Sequence, residues 1–148
     1  MKIKEYFTTK GHRVITIGPD DTVRDALQKL VDNNIGALPV CDTTGQLVGI
    51  ISERDILKEC LNRSDSIDTT KIQEVMSRQV AVATPDDDLD YATSVMKQKN
   101  IRHLPVVVNS KIDGMISMRD IVNSRLQDVE AEIRYEGLLH RRPRRPLI

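Results

Sequence analysis

The sequence predicts a mixed α/β fold in which two β-α-β-β-α repeats pack through their sheets about a pseudo-two-fold axis. Three observations predict it. The stretch "TIGPDDTVRDALQKLVDNNIGALPV" (16–40) is answered by "VATPDDDLDYATSVMKQKNIRHLPV" (82–106), with Pro19, Asp21 and Pro39 matched by Pro85, Asp87 and Pro105. Within each copy the apolar residues switch from short β-branched runs to helical spacing and back. A unit of about 55 residues buries too little surface to be secure alone, so the copies are expected to close on each other.

Each element follows from its local pattern. The β-branched segments "VITI" and "VAVA" open the copies as strands. Val23, Ala26, Leu27, Leu30 and Val31 then fall at helical spacing behind the capping candidate Asp21, as do Leu89, Ala92, Thr93 and Met96 in the second copy. Two strands follow, carried by "LPV" and "LVGIIS" in copy one, and the glycine motif leads into a second helix. That helix carries Ile56, Leu57, Cys60 and Leu61, or Ile121, Val122 and Leu126. The second copy is one residue shorter between its "LPV" and its glycine, where a turn tolerates the loss. The expected organisation is repeat 1 over 8–61, a linker over 62–77, repeat 2 over 78–127 and an extension over 128–148. The linker joins polar "NRSDSIDTT" to "KIQEVMS", a short helix or turn. The extension continues a helix into the basic tail "HRRPRRPLI", where prolines stop it.

Composition narrows the function. Lys plus Arg and Asp plus Glu both number 22, so no overall field draws the protein to nucleic acid or acidic membranes. With no Trp and one Phe, base-stacking platforms are hard to build. Cys41 and Cys60 lack metal or redox spacing and read as two buried thiols, and His12, His103 and His140 have no metal-ligand spacing. No Walker-type loop or nucleophile–base pair is visible, so catalysis is not expected. The N-terminus lacks the apolar core of a signal peptide and no run nears the ~18 residues of a spanning helix, which predicts a cytoplasmic protein.

The motif written twice is "GIISERD" (49–55) and "GMISMRD" (114–120). Ser52 with Asp55 and Ser117 with Asp120 have the spacing of a helix capping box. The same carboxylates, at the first turn of a helix beside a cleft, have the geometry to accept both hydroxyls of a ribose. Arg102 and His103 in "NIRHLPV" are candidates for holding a phosphate. These stretches, with "EVMS" between the copies, make the chain resemble a tandem pair of CBS domains, named after cystathionine β-synthase. The resemblance covers residues 1 to about 125. It implies a stand-alone regulatory module, without catalysis, that binds an adenosine-containing ligand between the repeats and acts on a protein partner.

Candidate ligands are AMP, ADP, ATP, NADH and S-adenosylmethionine. By the resemblance, Ser52 with Asp55 and Ser117 with Asp120 face the ribose. Arg102, His103 and Arg119 reach a phosphate in the Asp55 pocket from the opposite repeat, and Val82 and Thr84 flank the adenine there. Because Gly36 and Ala37 replace Arg102 and His103 in copy one, the Asp120 pocket is expected to read phosphate less well. The resemblance also implies a homodimer, through Val23, Leu27, Leu30, Leu89 and Met96. The open alternatives are a ligand-free scaffold and nucleic-acid binding through the arginine-rich tail.

Overall fold

The turn that launches the first long helix is built by side chains. In the computed structural model, which describes residues 1–11, 13–62 and 66–126, the Gly18 amide donates to Asp21 Oδ2 at 2.8 Å. Thr22 takes over the cap: its hydroxyl accepts from the Asp25 amide at 3.2 Å, and its amide donates to the Asp25 carboxylate at 2.9 Å. The cap is therefore Thr22 and not Asp21, whose carboxylate is committed to the preceding turn. The elements run α1 (Ile3–Lys10), α2 (Val23–Asn33), β1 (Ala37–Cys41), β2 (Leu47–Ser52), α3 (Glu53–Asn62), α4 (Ile72–Val75), α5 (Leu89–Lys99), β3 (His103–Val108), β4 (Lys111–Ser117) and α6 (Met118–Leu126). Helices α2 and α5 both end on an asparagine in the left-handed region, Asn34 at φ 51° and Asn100 at φ 54°.

Each repeat holds an antiparallel pair, β1 with β2 and β3 with β4, in matching register: Leu38 faces Ile51 and Leu104 faces Ile116. The expected opening strands shrink to single parallel bridges, Ile17 to Val40 and Ala83 to Val106. The reason is local. The amide after each bridge residue is taken by a turn carboxylate, Gly18 by Asp21 and, at 2.7 Å, Thr84 by Asp87. The missing residue of the second copy is also explained, since Asn109 and Ser110, at φ 51° and 64°, close β3 and β4 with a two-residue turn. The longer loop in copy one is organised by Asp42 Oδ1, which accepts from the Thr44 and Gln46 amides. The two hairpin loops meet where the Leu47 amide donates to the Ser110 carbonyl at 3.0 Å.

The lead-in helices are exchanged between the repeats. Helix α1, which precedes repeat 1, buries Ile3, Tyr6 and Phe7 in one core with Ala83, Ala92, Met96, Leu104 and Ile116 of repeat 2. Helix α4, which precedes repeat 2, buries Ile72 in the core of repeat 1 with Ile17, Val23, Leu38 and Ile51. The backbone bonds correspond: Ile3 and Lys4 amides donate to the Asp87 and Pro85 carbonyls, while Ile72 and Gln73 amides donate to those of Asp21 and Pro19. Gly49 serves this exchange, because a Cβ there would stand 2.6 Å from Met76 Sδ and 2.9 Å from the Ser77 carbonyl oxygen.

Two expectations are corrected here. Cys41 is buried but Cys60 is exposed, on the outer side of α3. Val23, Leu30 and Met96 are enclosed in their own cores, and Leu27 and Leu89 are half-buried against those cores, so these five are not an exposed apolar face. The exposed apolar side chains include Leu57 and Leu61 on α3 at 70% and 86% exposure, Val122 and Leu126 on α6 at 48% and 51%, and also Val31 on α2 and Tyr91 on α5. Among the described residues no helix is long and apolar enough to cross a membrane.

Candidate functional site: two clefts between the repeats

Two clefts open between the repeats and share a wall made by Gly36, Ala37, Glu53, Arg102 and His103. The first, of about 500 Å³, is bounded by Ile50, Ser52, Arg54, Asp55, Val80 and Ala81. The second, of about 600 Å³, is bounded by Ile15, Met115, Ser117, Arg119 and Asp120, and by Tyr6, Lys10 and Arg13 from α1 and the segment after it.

Both capping boxes form. Ser52 donates to Asp55 Oδ2 through its amide at 2.9 Å and its hydroxyl at 3.0 Å, and the Asp55 amide donates back to Ser52 Oγ at 3.3 Å. In the second copy the Ser117 amide donates to Asp120 Oδ2 at 2.8 Å and the Asp120 amide to Ser117 Oγ at 3.1 Å. Capping and ligand recognition are compatible at Asp55: among the described residues both bonds fall on Oδ2, and Oδ1 takes none. At Asp120 too the amide bond from Ser117 falls on Oδ2. Burial first, then the negative charge of Asp120 nearby, push the Tyr6 phenol up to about 12.

Gly36 lies under the shared wall. A Cβ there would lie 2.5 Å from Glu53 Oε1 and 3.0 Å from the His103 ring, so a larger residue would push the Glu53 carboxylate and the His103 ring aside. Burial holds the His103 imidazole below its ordinary range; Glu53 and Asp120 pull the other way, and Arg102 and Arg119 reinforce the lowering.

The sequence-predicted residues divide as follows. Ser52 and Asp55 line the first cleft, Ser117, Arg119 and Asp120 the second, and Arg102 and His103 both. Arg119 thus lies in the Asp120 cleft and not, as expected, in that of Asp55, because it precedes Asp120 in the first turn of α6. Val82 and Thr84 line neither cleft; both are exposed, and the turn bond from the Thr84 amide to Asp87 holds this segment. Val80 and Ala81 form that wall instead, as their repeat counterparts Val14 and Ile15 do in the second cleft. The two clefts differ in their charged lining. Lys10, Arg13, Arg102 and Arg119 face Glu53 and Asp120 in the second cleft, whereas Arg54 and Arg102 face Glu53 and Asp55 in the first. Lys10 ends α1 and Arg13 follows it, in a part of the chain that the repeat pattern does not include.

The CBS domain family matches residues 3–62 and 72–126. The chain belongs to the CBS domain family. This CBS pair is 34% identical over 126 residues to a 17.7 kDa protein of Acidianus ambivalens, covering 84% of this chain and 73% of that one. It is also 34% identical over 113 residues to an inosine-5'-monophosphate dehydrogenase of Methanocaldococcus jannaschii, but there it spans only 22% of the relative's length. CBS domains thus also occur inside larger enzymes. Among solved structures, a CBS-domain protein of Agrobacterium tumefaciens superimposes with a TM-score of 0.79 at 30% identity, covering 84% of this chain and 99% of that one. The CBS domain pair of protein MJ0100, in complex with 5'-methylthioadenosine and S-adenosyl-L-methionine, does so at 0.74 and 27% identity, covering 86% and 98%.

Proposed function

We propose that this CBS pair is a regulatory module that binds adenosine-containing ligands in its two clefts and performs no chemistry of its own. The observation that carries the reading is Asp55: Oδ2 is held by Ser52, Oδ1 is open on a cleft edge, and the apolar side chains of Ile50, Val80 and Ala81 stand beside it for a purine. The bound ligands of the MJ0100 pair support the adenosine moiety. The charges distinguish ligands. The first cleft, with two cations and two anions, suits adenosyl compounds of little charge, such as 5'-methylthioadenosine or S-adenosylmethionine; the second suits AMP, ADP, ATP or NADH.

In this reading the repeats are 8–61 and 78–127, joined by 62–77, and the module works in the cytoplasm on a protein partner. A homodimer forms through the exposed apolar residues of α3 and α6, Leu57, Leu61, Val122 and Leu126. The arginine-rich tail over 128–148, on which the nucleic-acid reading rested, lies outside the described residues.

The test is a melting series with each of these ligands, followed by calorimetry on Asp55→Asn. A ligand at ~100 times its Kd adds about 2.7 kcal/mol of stability. Absence of any shift with the whole set overturns the reading in favour of a scaffold with empty clefts.

A further inference from the structure

We propose that the two clefts are coupled through Arg102, one guanidinium that serves both, so that a phosphorylated ligand in either cleft weakens phosphate binding in the other and leaves adenosine binding untouched. This rests on the proposed adenosine-ligand function and adds its regulation. Positions 36 and 102 correspond in the two repeats, and their backbones are pinned alike. The Gly36 carbonyl accepts from the Glu53 amide at 3.0 Å, and the Arg102 carbonyl from the Met118 amide at 2.9 Å. Each therefore sits at the N-terminus of the helix, α3 or α6, that carries a cleft aspartate. The strands that follow start in the same register, Ala37 facing Ser52 and His103 facing Ser117. Two arginines at these places would give each cleft its own. This chain has one, and Arg102 lines both clefts.

Arg102 is exposed, and among the described residues its guanidinium makes no hydrogen bond or ion pair that would hold it to one side. Gly36 supplies no side chain in exchange, and Glu53 Oε1 and the His103 ring fill the space over it. His103 is the other shared donor, but burial holds its imidazole below the ordinary range, so near neutral pH it adds little positive charge. Two phosphates cannot both have the guanidinium, and by linkage the penalty is the same whichever ligand enters first. A first cleft that forgoes it is left with Arg54 against Glu53 and Asp55, whereas the second retains Lys10, Arg13 and Arg119. A nucleotide in the second cleft thus favours an adenosyl compound without phosphate in the first.

The experiment is calorimetry with AMP and with adenosine on the full chain, in wild type, Asp55→Asn and Asp120→Asn. Each variant weakens the ribose acceptor of one cleft and reports the association constant of the other by itself. Asparagine still accepts from the serine amide, so both helices keep their caps. For independent clefts the product of the two wild-type constants equals the product of the two variant constants. With AMP the wild-type product is expected to be smaller on the order of tenfold, the size of one hydrogen bond to a charged group. With adenosine the two products are expected to agree within about threefold. Arg102→Ala in all three backgrounds is expected to weaken AMP in each single-cleft variant and to abolish the deficit. An equal or larger wild-type product with AMP overturns the proposal, as does the same deficit with adenosine, a deficit that survives Arg102→Ala, or a single site for both ligands. If wild type binds neither AMP nor adenosine, the functional reading itself falls and takes this proposal with it.

Discussion

Replacing Ile3 by Ala should destabilise a repeat to which Ile3 does not belong by sequence. Ile3 and Ile72 are both fully enclosed, Ile3 in the repeat 2 core and Ile72 in the repeat 1 core. Truncating a buried isoleucine to alanine removes its transfer free energy and leaves a cavity, at a cost of about 2–5 kcal/mol. Short helices such as α1 and α4 relax more easily than a central strand, so about 3 kcal/mol is expected for each. For a chain of this size that lowers Tm by roughly 6 to 12 °C. The two sites lie in different clusters and share no partners, so the double variant should lose about 6 kcal/mol, the sum of the two. Against a typical total of roughly 5–15 kcal/mol this leaves the fold marginal. Urea unfolding followed by circular dichroism, at one protein concentration and without ligand, measures both effects. A loss below about 1 kcal/mol in Ile3→Ala, with the denaturant slope unchanged, would refute the exchange, because it would mean that α1 rests on the surface and is no part of the core.

Three further outcomes are expected. Gly49→Ala should cost about 1–3 kcal/mol through overpacking against Met76 and the Ser77 carbonyl; a neutral or stabilising effect in the same unfolding assay, as for an unconfined glycine, refutes this contact. Because burial lowers the His103 pKa in the folded state, the native protein resists the proton, and this contribution is fully present above the ordinary value of 6.5 and lost as pH falls through the folded value. Wild type should therefore lose more stability than His103→Gln between pH 7 and pH 5, and parallel curves would contradict it. Leu57→Asp combined with Leu61→Asp should convert a dimer to a monomer by light scattering while leaving the secondary structure intact, since both side chains are exposed in the single chain; an unchanged mass places the interface elsewhere.

The readability of the sequence followed the length of its patterns. The helices α2 and α5 and the hairpins were legible because each is set by several periodic residues and written twice, and the one-residue deletion fell in a turn as expected. Helix α1 was not, although Ile3, Tyr6 and Phe7 have helical spacing, because three apolar residues in "IKEYFTTK" are too few to separate a buried face from chance. The side of the second cleft made by Tyr6, Phe7 and Lys10 went unseen with it. Ser52, Asp55, Ser117 and Asp120 could be placed because a capping box fixes its own geometry within four residues. The wall beside Asp55 could not, since Val80 and Ala81 are separated from Val82 and Thr84 by only one to four positions of one short segment. The comparison with Val14 and Ile15 was the available signal.

The exchange of lead-in helices also sets an order in time. Ile3 finds its hydrogen-bond partner at Asp87 long after the ribosome has made the first helix. At ~5–20 residues per second, about 80 residues of further synthesis take roughly 4 to 16 s. Through that interval the apolar face of Ile3, Tyr6 and Phe7 has no core to enter, whereas repeat 1 is finished as soon as Ile72 emerges. The nascent chain thus carries one complete repeat and one unsheltered amphipathic segment, and the last strand of repeat 2 closes a space that the first residues of the protein have been waiting to fill.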